Sequence, residues 1–589
     1  MCGIVGYLGT STNVKSIVDV LAKLEYRGYD SAGVCCHENK KLNAIKSVGK
    51  IEKLNQKIEP NLKSGSVIAH TRWATHGKVT EQNSHPHLSF DLLWAVVHNG
   101  IIENHQQIKD MLKTKPQSQT DTAVISQLLE ENEVKDIQGF IKTLNMASGS
   151  FAIVTQCAEV ENTLFIAKNK SPLYVSKNND GNVLVASDPV CFAGFSKTYY
   201  SLNDHEFAVA TLKGLAFFDS AGNVLTKEQA KLDDSFENVT KQGYEHFMFK
   251  EIEEESAVIK RQVIFYKNSQ VLDCFNKGFI EKFNKVLLLG CGTAYHAGLM
   301  GAKYISKQTG MFAVAEIASE FLYEQPVFVD ERTLCIFVSQ SGETADTLEA
   351  MNLARSKGAF CVALTNVIYS SVAKRADLVL PVCAGPEIAV ASTKAYVCQL
   401  TALYMFASHI KNQLQNQSID FFERVEALAD KILNFDKIQF DVFAQKLKNE
   451  STVIFIGKGC DFITACEASL KLKEISYINS SSYASGELKH GFLALVEKGT
   501  PVIAIAGCDK TKQKTFNAAS EAESRGADVF VVSNQKIDSI NGCVIDEDDE
   551  LLFAVASIVP LQYLAYKVSV AKNFNPDQPR NLAKSVTVE

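Results

Sequence analysis

Two stretches far apart in this chain repeat one another. Val286-Leu-Leu-Leu-Gly-Cys-Gly292 and Val453-Ile-Phe-Ile-Gly-Lys-Gly459 are both apolar strand patterns that end in Gly-x-Gly. A second pair of apolar runs, around Val338 and around Ile505, recurs at the same spacing. Helical patterns follow, then a further apolar run in each copy, at 360–364 and 529–532. Alternation of buried strand and helix demands a parallel sheet covered on both faces, so the repeat predicts two related α/β domains. With 589 residues, the chain has room for roughly three to five domains in all.

The part before the repeat reads differently. Residues 1 to about 235 carry short β-type runs at 4–8, 67–70, 93–98, 151–155, 164–167 and 207–211, with helical patterns at 14–24 and 122–129. That is the pattern of a sheet-dominated α+β domain. The polar, charge-rich stretch that follows reads as a linker. The expected boundaries are 2–225 for the first domain, 226–275 for the linker, 276–415 and 440–575 for the two α/β copies, and 576–589 for a polar tail.

Composition removes several classes of function. Hydrophobic residues make up 46% and charged residues 22%, the proportions of an ordinary globular protein. A net charge of −7 gives no general attraction to nucleic acid or to an anionic membrane. The apolar run 551–571 is long enough to span a bilayer, yet it holds Pro560, Gln562 and Lys567, and a buried core helix is expected. Fifteen cysteines scattered through a large chain without a signal peptide fit reduced thiols in a cytoplasm. The histidines form no ligand-spaced cluster, so no metal is expected.

The two copies are not chemically equivalent. After its second strand the first reads Ser339-Gln-Ser-Gly-Glu-Thr344, where the second reads Ala506-Gly-Cys-Asp-Lys-Thr511. A strand, a hydroxyl-rich turn and a helix from 345 to 356 place hydroxyls and free amides at a helix N-terminus, which is an anion site. Ser339, Gln340, Ser341 and Thr344 are therefore candidate phosphate ligands, against the alternative of a plain serine-rich cap. Val390-Ala-Ser-Thr-Lys394 also sets small hydroxyl residues ahead of a helical run and could close the other side. Gly290-Cys-Gly-Thr-Ala-Tyr-His296 invites a dinucleotide reading, but Tyr295 stands where the third glycine belongs, so no nicotinamide cofactor is expected.

At the other end, Cys2 would carry both a thiol and a free α-amine once Met1 is removed, and the amine titrates near enough to neutrality, at roughly pKa 8, to act as the base. Alone, such a cysteine reads first as an inert buried thiol, and the rest of this half shifts that balance. Arg72, in His70-Thr-Arg-Trp-Ala-Thr-His-Gly77, is suited to bidentate capture of an α-carboxylate. Asn99 and Gly100, in His98-Asn-Gly-Ile-Ile-Glu-Asn104, can form an oxyanion hole, and Asp121 can pair with an α-ammonium.

Together with Cys2-Gly-Ile-Val-Gly6 and Tyr26-Arg-Gly-Tyr-Asp-Ser-Ala-Gly33, these motifs resemble the N-terminal-nucleophile glutaminase domain of the glucosamine-6-phosphate synthase family. The likeness continues through two sugar isomerase (SIS) repeats, in Lys471-Leu-Lys-Glu-Ile-Ser-Tyr477 and Gly486-Glu-Leu-Lys-His-Gly491. It ends with Asp577-Gln-Pro-Arg-Asn-Leu-Ala-Lys-Ser-Val-Thr-Val-Glu589.

The resemblance implies an α+β N-terminal-nucleophile hydrolase domain followed by two α/β SIS domains with parallel sheets. It also implies glutamine-dependent conversion of fructose 6-phosphate to glucosamine 6-phosphate, by a cytoplasmic homodimer without a cofactor. Cys2 would be the nucleophile, Arg72, Thr75, His76 and Asp121 would hold glutamine, Asn99 and Gly100 would form the oxyanion hole, and Trp73 would gate an ammonia channel. The sugar phosphate would meet Cys291, Gly292, Thr293, Ser339, Gln340, Ser341, Thr344, Val390 and Ser392. Lys584 would form an imine with the open-chain ketose, Glu474 would move the proton between carbons 1 and 2, Lys471 would assist, and His490 would open the ring. From the residues alone, Lys471 and Glu474 read equally as a surface ion pair and His490 as a core histidine, while Lys584, in a polar tail, reads first as a solvated lysine, a reading that the resemblance overturns. The chain departs from the family pattern at Phe492, at Glu251-Ile-Glu-Glu-Glu255, and at Leu322 and Glu324. A sugar-phosphate isomerase or deaminase, or a sugar-phosphate sensor, would use the same SIS site but leave Cys2 idle.

Overall fold

A computed structural model describes residues 2–74, 77–232, 240–323, 328–536 and 541–586. It divides into two compact units, Met1–Val239 with Ala583–Glu589, and Thr240–Leu582.

In the first unit two antiparallel sheets, of eight and seven strands, lie face to face. Side chains alternate across the pleat, and the sequence alternates with them. Ile4 and Ile68 point inward to meet Val97, Val154 and Ile166 of the facing sheet. Val5, Val67 and Ala69 point outward beneath the helices Val14–Ala22 and Ile51–Lys57. The outer face of the second sheet is covered by Ala123–Glu131 and Ile137–Leu144. The strand Gly3–Asn13 pairs antiparallel with Lys63–Arg72, Gly3 opposite Thr71, which sets the first residues of the chain beside the end of that strand.

The second unit contains the repeat. Its first parallel sheet runs Phe312–Ile317, Lys285–Gly290, Thr333–Ser339, Phe360–Thr365 and Leu378–Pro381 in spatial order. The second runs Asn479–Ala484, Thr452–Gly457, Pro501–Ala506, Asp528–Ser533 and Asn541–Val544, the same order of first, second and later strands. The helix Glu550–Ala571 is the one long and apolar enough to cross a bilayer among the described residues, and 94% of its apolar window is buried inside the fold.

The expected linker at 226–275 is mostly something else. Ala230–Lys231 is still a strand of the first unit, paired with Thr198–Ser201. Phe247–Glu253 and Glu255–Ser269 are helices that bury Met248, Ile252, Ile259, Val263 and Tyr266 in the core of the second unit. Those positions keep a helical spacing of three and four residues, and the charged residues between them hide it from a composition reading. The expected tail also begins too early. Asp577 accepts hydrogen bonds from the amides of Phe247 and Met248 at 2.9 and 2.8 Å, so residues up to Leu582 belong to the second unit.

Candidate active sites

The pairing of Gly3 with Thr71 brings Cys2 to Trp73, whose backbone amide donates to the Cys2 sulfur at 3.2 Å. Asn99 reaches from the strand Trp94–Ile102 and donates its side-chain amide to the Cys2 carbonyl at 2.8 Å. Gly100 follows at φ +130, a conformation that side chains disfavour, and a Cβ there would lie 2.0 Å from the Ser150 carbonyl oxygen. Asp121 stands before the helix Ala123–Glu131 and accepts from the Ile102 amide at 2.8 Å. Cys2, Arg72, Trp73, Gly100 and Asp121 line one small pocket, joined by His85, His98, Thr120 and Thr122. Thr75 and His76 lie outside the described residues.

The pocket's charges suit an α-amino acid, with the Arg72 guanidinium and the Asp121 carboxylate in one small volume. Burial pushes the Cys2 thiol up, while the terminal ammonium, the Trp73 amide and Arg72 pull it back without cancelling the rise. A thiol in this state needs a base before it can act as a nucleophile. Asp30 was not anticipated from sequence: its carboxylate accepts from the Ala74 amide at 2.9 Å and so holds the turn after Trp73. It lay in plain view in the Tyr26–Gly33 motif.

In the second unit the hydroxyl-rich turn forms as expected. Ser339, the last residue of its strand, accepts from the Gly342 amide at 2.9 Å, and Ser341 accepts from Glu343 at 3.2 Å. Thr344 precedes the helix Ala345–Ser356 without capping it, which leaves that helix's first amides without a side-chain cap from Thr344. Gly342, at φ +64, packs so closely on Ser370 that a Cβ would lie 2.0 Å from its hydroxyl oxygen. Cys291 and Gly292 form the parallel turn before the helix Thr293–Thr309, and the Cys291 sulfur lies 3.9 Å from the Thr347 hydroxyl. The Val390 amide is bound to the Asp577 carbonyl, and Ser392 donates its hydroxyl to Glu387 at 3.0 Å. The second copy differs in kind. There Asp461 takes up the amides of Gly507 and Cys508 at 3.1 and 3.2 Å, so the chain's own carboxylate occupies the turn.

Lys471 and Glu474 are no surface pair. The helix Cys460–Ser476 buries the Lys471 side chain completely, and its ammonium donates to Glu474 at 2.7 Å and to the Thr293 hydroxyl at 2.9 Å. Glu467, one turn earlier and fully buried, accepts from Thr293 at 3.0 Å and meets His296 Nδ1 at 2.7 Å. Burial pulls the Lys471 ammonium down, but the carboxylates of Glu474 and Glu467 outweigh it and hold the group above its ordinary value. Lys471 is therefore a fixed cation rather than a free amine. Sequence reading missed Glu467 and His296, although Glu467 stands four residues before Lys471, the spacing of one helix face.

His490 ends the short helix Ser485–His490 and is exposed, so it is no core histidine. Lys584 is half-buried and follows the last residue of the second unit. Phe492, one of the departures, stacks on Tyr483 with ring centres 4.1 Å apart and fills a core in the second copy. Glu251 is buried and accepts from the Ile388 and Ala389 amides at 2.5 and 3.3 Å. Leu322 packs against the first copy's core, and Glu324 lies outside the described residues.

Comparison with known proteins agrees with this division. The model of a glutamine amidotransferase domain matches residues 70–194, and that of the SIS domain matches 279–409 and 446–572. Fold and matches define an amidotransferase domain joined to paired SIS domains. A glutamine–fructose-6-phosphate aminotransferase (isomerizing) of Caldanaerobacter subterraneus subsp. tengcongensis is 42% identical over 611 residues, covering 100% of both chains. That of Bacillus subtilis is 37% identical over 605 residues with the same coverage. Among solved structures, the C-terminal domain of the glucosamine-fructose-6-phosphate aminotransferase from Francisella tularensis covers 58% of this chain and 100% of its own. It does so at 32% identity, with a TM-score of 0.53. This chain belongs to the glutamine–fructose-6-phosphate aminotransferase (isomerizing) family.

Proposed function

We propose that the chain converts glutamine and D-fructose 6-phosphate to glutamate and D-glucosamine 6-phosphate. The observation that carries this reading is the pocket in which Cys2 meets the Trp73 amide and the Asn99 carboxamide beside Arg72 and Asp121. A sugar-phosphate isomerase, deaminase or sensor has no use for it.

In the first half-reaction Arg72 and Asp121 hold the α-carboxylate and α-ammonium of glutamine, with Thr75 and His76 contributing to the same site. The Cys2 sulfur attacks the side-chain carbonyl, with the α-amine of Cys2, freed by loss of Met1, taking the thiol proton. Asn99 and Gly100 stabilise the oxyanion, ammonia leaves, and water releases glutamate from the thioester. Trp73 gates the passage of ammonia toward the sugar.

In the second, Ser339, Gln340, Ser341 and Thr344 bind the phosphate, with Cys291, Gly292, Thr293, Val390 and Ser392 around the sugar. His490 opens the ring and Lys584 condenses with the carbonyl at carbon 2. Ammonia displaces the lysine, and Glu474 carries a proton from carbon 1 to carbon 2. Lys471, held charged beside Glu474, assists that proton transfer. The water consumed in the first half-reaction equals the water released in the second, so the sum is glutamine plus ketose phosphate giving glutamate plus amino-sugar phosphate.

The fifteen cysteines are all free thiols, which suits a reducing cytoplasm. The family resemblance points to a homodimer, which sedimentation at working concentration would test. Assay with both substrates should yield glutamate and glucosamine 6-phosphate in equal amounts. Glutamate without an amino sugar would mean that the glutaminase serves a different acceptor.

A further inference from the structure

The His70 side chain has no exposed surface, and one of its ring nitrogens faces two acceptors. Nε2 lies 3.0 Å from the His98 carbonyl oxygen and 3.1 Å from Asn99 Oδ1. A backbone carbonyl can only accept, so Nε2 must carry the hydrogen. The Asn99 atom that faces it must then be the oxygen. That turns the Asn99 amide nitrogen the other way, onto the Cys2 carbonyl at 2.8 Å. A flipped Asn99 would set N–H against N–H at His70 and oxygen against oxygen at Cys2.

The rest of the ring's surroundings serve the same orientation. His70 stacks on His85 with centres 4.1 Å apart and planes 13° apart, which fixes the ring plane. Its other nitrogen, Nδ1, is buried with no hydrogen-bond partner among the described residues, an arrangement that cores seldom keep without reason. Burial, with His98 and Arg72 nearby, keeps the imidazole neutral down to about 3. Its tautomer is therefore fixed across the range in which an enzyme works.

We propose that His70 is a positioning residue for the glutaminase half-reaction, locking the Asn99 carboxamide with its N–H groups on the side of Cys2. This rests on the reading of Asn99 as an oxyanion-hole donor. An oxyanion hole works by preorganisation, and a primary amide free to flip would present oxygen to the developing charge in part of the population.

The test is a double-mutant cycle on glutamine hydrolysis by the full chain, with ammonia-dependent synthesis measured on the same preparations. His70→Leu should lower kcat by about 30- to 100-fold, with KM for glutamine moved by less than about twofold. His70→Asn, whose N–H is too short to reach, should behave alike, while His70→Gln should recover to within about fivefold of the parent. In an Asn99→Ala background His70→Leu should add less than about twofold, because the group it orients is gone. Ammonia-dependent synthesis should be unchanged in the His70 variants. Near-parental kcat in His70→Leu, equal loss in His70→Gln, or full additivity with Asn99→Ala would overturn the inference while leaving the glutaminase reading intact. Undiminished hydrolysis in Asn99→Ala itself would overturn the inference together with the reading of Asn99 as an oxyanion-hole donor.

Discussion

Lys471 and Glu474 lie three residues apart on one helix with 2.7 Å between ammonium and carboxylate, and the lysine has no exposed surface at all. Glu467 closes the pair from the other side at 3.4 Å and binds Thr293 and His296 of the first copy. A cation buried this deeply is tolerated only because two carboxylates and a hydroxyl surround it. The same enclosure sets a charged cluster where the two copies meet within the second unit.

Removing the cation should be costly. Lys471→Met leaves Glu467 buried against fewer donors, and a loss of about 3–5 kcal/mol in stability is expected, read as a lowered unfolding transition. Glu474→Gln keeps an acceptor oxygen beside the ammonium and leaves Glu467 in place, so it should cost less stability while abolishing amino-sugar synthesis. Equal destabilisation by the two variants would contradict the structural division between them.

Gly100→Ala should disable the first half-reaction selectively. A methyl group 2.0 Å from the Ser150 carbonyl forces the strand apart at the oxyanion hole, at a φ that alanine disfavours. Glutamine hydrolysis should fall about 100-fold or more, as should follow from loss of an oxyanion donor. Cys2→Ala should abolish it outright, and both variants should retain synthesis from added ammonia. Parental hydrolysis by Gly100→Ala would show that Gly100 plays no part in the hole.

Asp461 gives a pH signature. Burial pushes its carboxyl up to about 7, against roughly 4 in an unfolded chain. Between those values the folded state keeps a proton that the unfolded chain has released, so stability falls as pH rises through the window and levels off above it. Asp461→Asn mimics the protonated form. Its stability advantage should be absent near pH 4 and grow to about 4 kcal/mol by pH 8, followed by thermal unfolding across that range. An advantage independent of pH would contradict the assignment.

Much of this was legible in the residues, and the reasons differ by region. The repeat exposed both parallel sheets, because fully buried strands must be apolar and the Gly-x-Gly turns punctuate them alike. The helices Phe247–Glu253 and Glu255–Ser269 were hidden because their charged faces dominate the composition while a narrow apolar stripe does the packing. Cys2, Arg72, Asn99 and Asp121 could be named from their chemistry. The orientation of Asn99 could not, since it depends on which atoms of His70 and of the His98 carbonyl face it across the fold. Glu467 and His296 escaped for the same reason: 171 positions separate the partners of one hydrogen bond.

Lys584 should be the residue that joins the sugar. The other candidate lysine, Lys471, is held as a cation by two carboxylates and is unsuited to attack a carbonyl. Borohydride added during incubation with fructose 6-phosphate should place the reduced adduct on the C-terminal peptide, and Lys584→Arg should lose synthesis while still hydrolysing glutamine. An adduct on Lys471, with normal synthesis by Lys584→Arg, would contradict this role.

The central claim is that one chain takes nitrogen from glutamine and gives it to a sugar phosphate. Glutamine labelled with ¹⁵N in its side-chain amide, supplied with fructose 6-phosphate and an excess of unlabelled ammonium, tests it most directly. The account predicts glucosamine 6-phosphate carrying the label, formed in step with glutamate and lost in Cys2→Ala. Amino sugar formed by the parent chain with none of the label, or glutamate formed with no amino sugar, would contradict it.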